Sequence, residues 1–387
     1  MATESAVSQP TFKRLAVFLD GTWNAVGTNT NVWRLRCLCA DHDDAGVRQL
    51  RYYDEGVNGA LGGGWGKGLS RNVQDAYSWL VDNYEDGDQI YIFGFSRGAY
   101  TARSLAGLIS ICGLLRAGGA LGIDQLYERY RHEDNRTIYK LAGMHADDLS
   151  FEEGWMLKYS RPVPVEMVGV WDTVGAVGVP AFSIEGISTS TLKFHHTGLR
   201  QPIKAGFHAL AIDEHRPKFL PTIWTVRTPH NADPAPMRPV ESVEQRWFVG
   251  AHANVGGGCY NDGLAQLPLK WMMRKAAERG LGFKHQLQTD GSEHRGPISD
   301  SYKEFLKGVY SWVFDRSYRP IGAAPHSDHR GLHTNVNETI DGSVFQRWRD
   351  DASYRPPNLV AWSKAFDVDP AKLHGSVLVT TPSSTIE

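Results

Sequence analysis

Apolar residues in this chain are gathered in short dense runs, separated by polar and glycine-rich stretches. The first run, Leu15-Ala-Val-Phe-Leu19, stops at the turn-rich Asp20-Gly21-Thr22-Trp23-Asn24. Continuous apolar runs of this length, rich in β-branched and aromatic residues, predict strands buried on both faces. Gln89 to Phe93 and Val163 to Trp171 read the same way, Val47 to Tyr53 and Arg246 to Gly250 read as further strands, and Phe207 to Ile212 fits either a strand or a short helix. Helical spacing fills the intervals: Val32 to Ala40, about Asn72 to Tyr84, Arg97 to Leu115, Ile123 to Arg131 and Leu267 to Arg279. Strands alternating with helices predict an α/β fold with a mostly parallel sheet flanked by helices. Beyond about Phe283 the chain is richer in Pro, Gly, Ser and His, which predicts long connections and short helices wrapping the core or forming a cap. The expected organisation is a flexible N-terminus over 1–14, a core over 15–282 and a wrapping or cap segment of the same domain over 283–387.

Composition narrows the function classes. The 387 residues are 41% hydrophobic and 22% charged, ordinary for a globular protein, and the 12 Trp are scattered rather than gathered on one face. A net charge of −2 gives no electrostatic case for nucleic acid. Cys37, Cys39, Cys112 and Cys259 form no C-x-x-C pair, so they are expected to be reduced thiols, three or four of them buried. The first 14 residues lack the apolar segment of a signal peptide, and the run Ala106 to Leu115 is too short to cross a bilayer. The expectation is a cytoplasmic protein, or one secreted by a route that needs no signal peptide.

The chemistry concentrates at Gly94-Phe-Ser-Arg-Gly98. A strand before this G-x-S-x-G and a helix after it would put the Ser96 hydroxyl at the tip of a sharp turn. The two glycines remove side chains where strand and helix nearly touch. This is the nucleophile elbow of an α/β-hydrolase. In that fold an acid and then a histidine follow from later strand ends. Asp172 and His252 each stand directly after an apolar run, in that order. A serine hydroxyl needs a histidine to take its proton, and a carboxylate sets the histidine tautomer and stabilises the imidazolium. A turn-starting role for Asp172 and a core role for His252 are the structural alternatives, and His208 and His215 are rival bases.

An oxyanion hole is expected from the backbone N–H of Arg97 and from Gly21 after the first strand. Asp20 is expected to hold that loop, by pairing with Arg97 or by capping the turn. Two other readings fail on single positions. An aspartyl phosphatase needs an acid where Phe18 stands, and a P-loop needs glycine where Leu61 stands and Ser or Thr after Lys67. The glycine-rich stretch Gly56 to Gly68 is read as a lid, a substrate-facing loop or a plain connection. His195-His196 and Asp41-His42-Asp43-Asp44 look like solvated surface rather than metal ligands. No metal and no cofactor are expected.

With these residues in place the chain resembles the catalytic domain of type VI secretion phospholipase effectors and its wider α/β-hydrolase relatives. The likeness is carried by Phe18-Leu-Asp-Gly-Thr-Trp-Asn24, by Gly94-Phe-Ser-Arg-Gly-Ala-Tyr-Thr-Ala-Arg103 and by Gly169-Val-Trp-Asp-Thr-Val174. It continues through Ala209-Leu-Ala-Ile-Asp-Glu-His-Arg216, Trp247-Phe-Val-Gly-Ala-His252, Val255-Gly-Gly-Gly258 and Tyr354-Arg-Pro-Pro357. The resemblance implies a Ser96, Asp172, His252 triad cleaving lipid esters, with a lipid or ester substrate, a membrane surface, and an immunity or delivery protein as partners. Two positions depart from the family: Asn254 and Gln266 stand where aspartates are usual. Asn254 is therefore assigned a supporting place beside the base. A short-chain carboxylesterase and a catalytically retired binding module are the alternatives to a phospholipase.

Overall fold

The computed structural model describes residues 11–21, 28–56, 65–131, 136–174, 202–232, 237–260, 262–304, 314–328, 331–382 and 385–386. Its strands are β1 (Arg14–Leu19), β2 (Gln49–Asp54), β3 (Gln89–Phe95), β4 (Leu114–Leu115), β5 (Ser160–Arg161), β6 (Val165–Trp171) and β7 (Ile203–Ala211). They continue as β8 (Thr225–Thr228), β9 (Val243–Phe248), β10 (His326–Asp328), β11 (Gly331–Asn335), β12 (Glu338–Ile340), β13 (Ser376–Leu378) and β14 (Thr385–Ile386). The helices that matter for the site are α1 (Asn31–Leu38), α2 (Trp65–Asn83), α3 (Arg97–Cys112), α4 (Ile123–Arg131), α5 (Ile138–Leu141), α6 (Phe151–Tyr159), α7 (His252–Gly256) and α8 (Gly263–Glu278).

The central sheet runs β2-β1-β3-β6-β7-β9-β12-β13-β14. It is parallel from β2 to β12, and β13 and β14 close the edge antiparallel. Alternate residues of β1 serve opposite faces, as the pleat requires. Leu15, Val17 and Leu19 pack with Val73, Ala76 and Leu80 of α2 and with Leu105 and Ile109 of α3. Ala16 and Phe18 pack with Val32 and Leu35 of α1 and with Leu269 and Met272 of α8. Both faces of β1 are therefore apolar, which is why it reads as an unbroken apolar run. The chain steps from β1 outward to β2, then returns past β1 to β3 and β6. The order reverses between β1 and β3, and ligands of open α/β sheets bind outside the strand ends at such a point.

Several elements differ from the expectations, each for a local reason. Helix α2 begins at Trp65 rather than near Asn72, so Gly66-Lys67-Gly68 is helical despite its glycines. The rest of the proposed lid, 57–64, lies outside the described residues, as does His195-His196. Helix α3 stops at Gly113, whose φ of 73° ends it, and Leu114-Leu115 pairs instead with β5. Phe207 to Ala211 is strand. Strand β9 starts earlier than its apolar run, at Val243, because its polar residues satisfy one another or their neighbours: Arg246 Nε donates to Glu244 at 2.7 Å, and Gln245 bonds the backbone of Trp224 at both ends of its amide. The part after Phe283 wraps the core partly as strands, supplying β10 and β11 beside β8 and extending the main sheet with β12 to β14. Its helices Gly342–Asp350 and Pro357–Ala365 cover Leu210, Ile212 and Trp247 with Val344, Phe345, Leu359 and Trp362. Two cysteines, Cys39 and Cys112, are buried and Cys37 and Cys259 are half-buried, fewer buried than composition suggested. Among the described residues no helix is long and apolar enough to cross a membrane.

Candidate active site

Ser96 sits between β3 and α3 with φ 56° and ψ −119°, a backbone conformation that L residues rarely adopt and that costs on the order of 1–3 kcal/mol. Close packing enforces it. A Cβ at Gly98 would overlap the carbonyls of Leu19 and Asp20 at the end of β1, and one at Gly94 would overlap the Gly98 carbonyl. The Ser96 N–H donates to Trp171 O at 3.1 Å, which ties the turn to the end of β6.

The next residue after Trp171 is Asp172, fully buried, with φ 39°. His252 opens α7, four residues after the last residue of β9, Phe248. Its Nδ1 lies 2.6 Å from Asp172 Oδ2, and its Nε2 lies 2.9 Å from Ser96 Oγ. The carboxylate can only accept, so the Nδ1 proton faces it and Nε2 is left to accept the serine hydroxyl. The imidazole is held between two rings, Phe95 at 4.7 Å between centroids and Phe219 at 5.4 Å. Three strand ends, of β3, β6 and β9, thus bring the three side chains together.

Two further charged groups complete this cluster, and the sequence reading missed both. Arg319 forks onto Asp172, Nη1 to Oδ1 at 2.6 Å and Nη2 to Oδ2 at 3.0 Å, with both side chains buried. Burial alone would raise the Asp172 carboxyl; Arg319 and then His252 outweigh it and hold the group well below the usual carboxylate range. Glu214 Oε2 accepts the His252 backbone N–H at 3.2 Å and the Ser301 hydroxyl at 2.8 Å. Burial raises Glu214 too, but Arg216, bound at 2.8 Å, brings it to about 2. Glu214 stood within a quoted motif, whereas Arg319 had no local signal at all.

The rival histidines lie elsewhere. His208 is fully buried beneath the Asp172 turn, where Nε2 accepts the Thr173 N–H at 3.1 Å and Nδ1 faces Gln245 Oε1 at 3.4 Å. Burial, then Arg103, lowers its pKa to about 3, so it stays neutral. His215 packs edge-on against Tyr318 at 5.0 Å between centroids.

The supporting residues are only partly where expected. Asp20 is buried, and its carboxylate accepts the Gly21 N–H at 2.8 Å, the Tyr53 hydroxyl at 3.1 Å and the Thr30 hydroxyl, which hold its loop. The Gly21 N–H expected in the oxyanion hole is thereby taken up by Asp20. Arg97 is the first residue of α3, in the turn where backbone N–H groups have no partner within the helix. Asn254 does not touch Ser96. Its Oδ1 accepts the N–H groups of Ala251 at 3.1 Å and Ser299 at 2.9 Å, and its amide donates to the Ser299 hydroxyl at 3.2 Å and to Pro297 O at 3.4 Å. Gln266 Oε1 accepts Arg34 Nη2 at 2.6 Å. Both amides therefore have structural partners of their own. The acidic cluster at Asp41 and Asp43 is engaged by Arg51 and Arg14, and among the described residues no three His, Cys, Asp or Glu side chains are grouped to hold a metal ion.

Comparison with known proteins adds four findings. The profile of the T6SS phospholipase effector Tle1-like catalytic domain matches residues 13–275. An uncharacterized protein of Saccharomyces cerevisiae is 26% identical over 238 residues, 55% of this chain and 33% of the yeast protein. A crystal structure of an uncharacterized protein from Pseudomonas aeruginosa aligns with a TM-score of 0.46 at 19% identity, over 75% of this chain and 49% of that one. The Tle1 effector bound to the VgrG spike of the type 6 secretion system aligns with a TM-score of 0.36 at 18% identity, over 65% and 53%. The match thus spans a third of the yeast relative and about half of each solved chain.

Proposed function

The chain belongs to the Tle1-like phospholipase effector catalytic-domain family, and from that premise we propose that it is a serine hydrolase cleaving carboxylic esters of acyl lipids. The observation that carries the reading is the hydrogen-bonded series Ser96 Oγ, His252 Nε2, His252 Nδ1 and Asp172 Oδ2. In this mechanism Ser96 Oγ attacks the ester carbonyl carbon while Nε2 takes the hydroxyl proton. Asp172 holds the ring in the tautomer that can accept it and stabilises the imidazolium. The oxyanion of the tetrahedral intermediate accepts from the Arg97 N–H. The second donor of this reading, the Gly21 N–H, has to leave Asp20 when substrate enters. Collapse breaks the ester C–O bond, and His252 returns the proton to the departing alcohol. Water then attacks the acyl-serine with His252 again as base, releasing the fatty acid and restoring Ser96.

The site lies at the β1/β3 reversal, where a long acyl ester would enter from outside the strand ends. We take a glycerophospholipid as substrate, presented at a membrane surface. A lipase of this kind needs delivery to its target membrane and an immunity protein in the producing cell. Labelling by a fluorophosphonate tests the chemistry: wild type is expected to react and Ser96→Ala to be inert. Equal labelling of both would overturn the reading.

A further inference from the structure

We propose that Arg319 is a positioning residue of the hydrolytic site, one that sets the orientation and the net charge of the Asp172 carboxylate facing His252. The proposal rests on the reading of Ser96, His252 and Asp172 as a triad. Arg319 lies outside residues 13–275, so the C-terminal segment reaches back to complete a site whose other members all lie within the family match.

The geometry is that of a fixed fork. Both carboxylate oxygens of Asp172 accept from the guanidinium, at 2.6 and 3.0 Å, and Oδ1 also accepts the Ala211 N–H at 3.1 Å. A carboxylate gripped at both oxygens cannot rotate, so Oδ2 stays directed at His252 Nδ1. Arg319 is itself anchored: Nη1 donates to Ala211 O at 2.9 Å, Nη2 donates to Phe219 O, and Asn358 Nδ2 donates to Arg319 O at 3.1 Å. The Phe219 residue it bonds is also the one whose ring packs on the imidazole. One guanidinium therefore fixes both the acid and a wall of the base.

The electrostatic consequence follows from the groups around the ring. Asp172 and Arg319 form a buried pair of zero net charge, Glu214 faces the His252 backbone with Arg216 bound to it, His208 sits behind Thr173, and Ser96 is neutral. With Arg319 in place, the imidazolium formed during turnover meets a carboxylate whose charge is partly offset. Without it, the carboxylate is uncompensated in a water-poor site and favours the protonated ring, so the free base is lost at higher pH.

The test uses the full chain with Arg319→Gln, Arg319→Lys and Ser96→Ala. It follows hydrolysis of a soluble p-nitrophenyl ester, and the first-order rate constant of fluorophosphonate labelling, from about pH 5 to about pH 9. Arg319→Gln is expected to lower kcat by ~10–100-fold, as loss of an outer partner of a functional histidine does. KM should hold within about twofold, and the acid limb should move up by about one pH unit. Arg319→Lys keeps the charge and loses the fork, so the limb should return to its wild-type position with only part of kcat restored. The labelling rate constant is read on whatever fraction stays folded. If the glutamine variant fails to fold, the lysine variant decides, and wild-type kcat in it overturns the proposal. An unmoved limb in folded Arg319→Gln overturns it as well. If Ser96→Ala labels like wild type, the triad reading fails; if Ser96→Ala is inert while Arg319→Gln matches wild type, only the role of Arg319 fails.

Discussion

Asp172 and His252 lie 80 residues apart in the chain, and their side chains meet at 2.6 Å. The bond joins the end of β6 to the first residue of α7, and its value for chemistry lies in the tautomer it selects. Asp172→Asn would present an amide that can donate to Nδ1, favouring the tautomer in which Nε2 carries the proton and cannot accept from Ser96. The expected loss in kcat is about 10⁴-fold. Ester turnover on folded protein, with KM followed separately, checks it.

The elbow makes a prediction about stability rather than rate. Gly98→Ala would drive a Cβ into the carbonyls of Leu19 and Asp20, backbone that cannot swing aside. Loss of at least ~3 kcal/mol, or failure to fold, is expected from such overpacking. Gly154, inside α6 with open space where its Cβ would go, is the contrast. Gly154→Ala should raise stability by up to about 1 kcal/mol. Urea unfolding of the two variants would separate a glycine demanded by close approach from one that is not.

Asp213 carries a pH signature. It is buried under the start of α7, where it accepts the Gly250 N–H at 2.7 Å and the Tyr354 hydroxyl at 3.2 Å. Burial raises its pKa from 3.8 to about 6, against the lowering by those two bonds. The folded state therefore holds this proton more tightly than the unfolded chain, so this group costs stability as pH climbs from about 4 to about 6 and adds nothing further above that. Asp213→Asn keeps an acceptor for both donors and removes the titration. The difference in unfolding free energy, variant minus wild type, measured by urea unfolding at each pH, should grow in favour of the variant across that window and plateau at roughly 2–3 kcal/mol. A flat difference would mean that Asp213 titrates normally.

The contacts of Asn254 suit an amide rather than the aspartate that the family resemblance leads one to expect there. Its amide donates to the Ser299 hydroxyl and to Pro297 O, while its oxygen serves two backbone N–H groups. Asn254→Asp would remove the donor and bury a charge beside that carbonyl. A loss of about 1–2 kcal/mol in stability is expected, with kcat/KM within a few-fold of wild type. A large gain in turnover would instead assign the position a part in the chemistry.

Substrate length separates a lipase from a small esterase. Glycerophospholipids and long-chain esters should be turned over faster than acetate or butyrate esters of the same alcohol. Activity confined to the short acids would favour the carboxylesterase. In a bacterial host, toxicity that requires Ser96 and appears on periplasmic targeting is expected; harmless expression in both compartments would favour a housekeeping hydrolase.

The features that were legible in the sequence are those whose cause is local. Burial on both faces of a parallel sheet demands unbroken apolar runs, so β1, β3 and β6 announced themselves. The elbow demands glycine at 94 and 98 because no other residue fits, and a strand end supplies the position for Asp172 and for His252. Strand β9 was blurred because Glu244, Gln245 and Arg246 are polar and buried, a combination that only partners from other elements make tolerable. The end of α3 was misplaced because one glycine outweighed the apolar residues beyond it.

What tertiary structure alone decided is the charge balance of the site. Arg319 lies 147 residues from Asp172, in a stretch whose composition suggested connections and short helices wrapping the core or forming a cap, and an isolated arginine there carries no pattern that separates it from surface. The choice of His252 over His208 was likewise spatial: His208 lies within an apolar run and His252 after one, and only the His252 ring reaches Ser96 Oγ. Even the Gly21 N–H, well placed in sequence for an oxyanion, proved to be bonded by its own neighbour. Periodicity and backbone sterics act within a few residues and leave marks that can be read there. Pairing between buried charges acts through space, between segments that the chain keeps far apart until the sheet assembles.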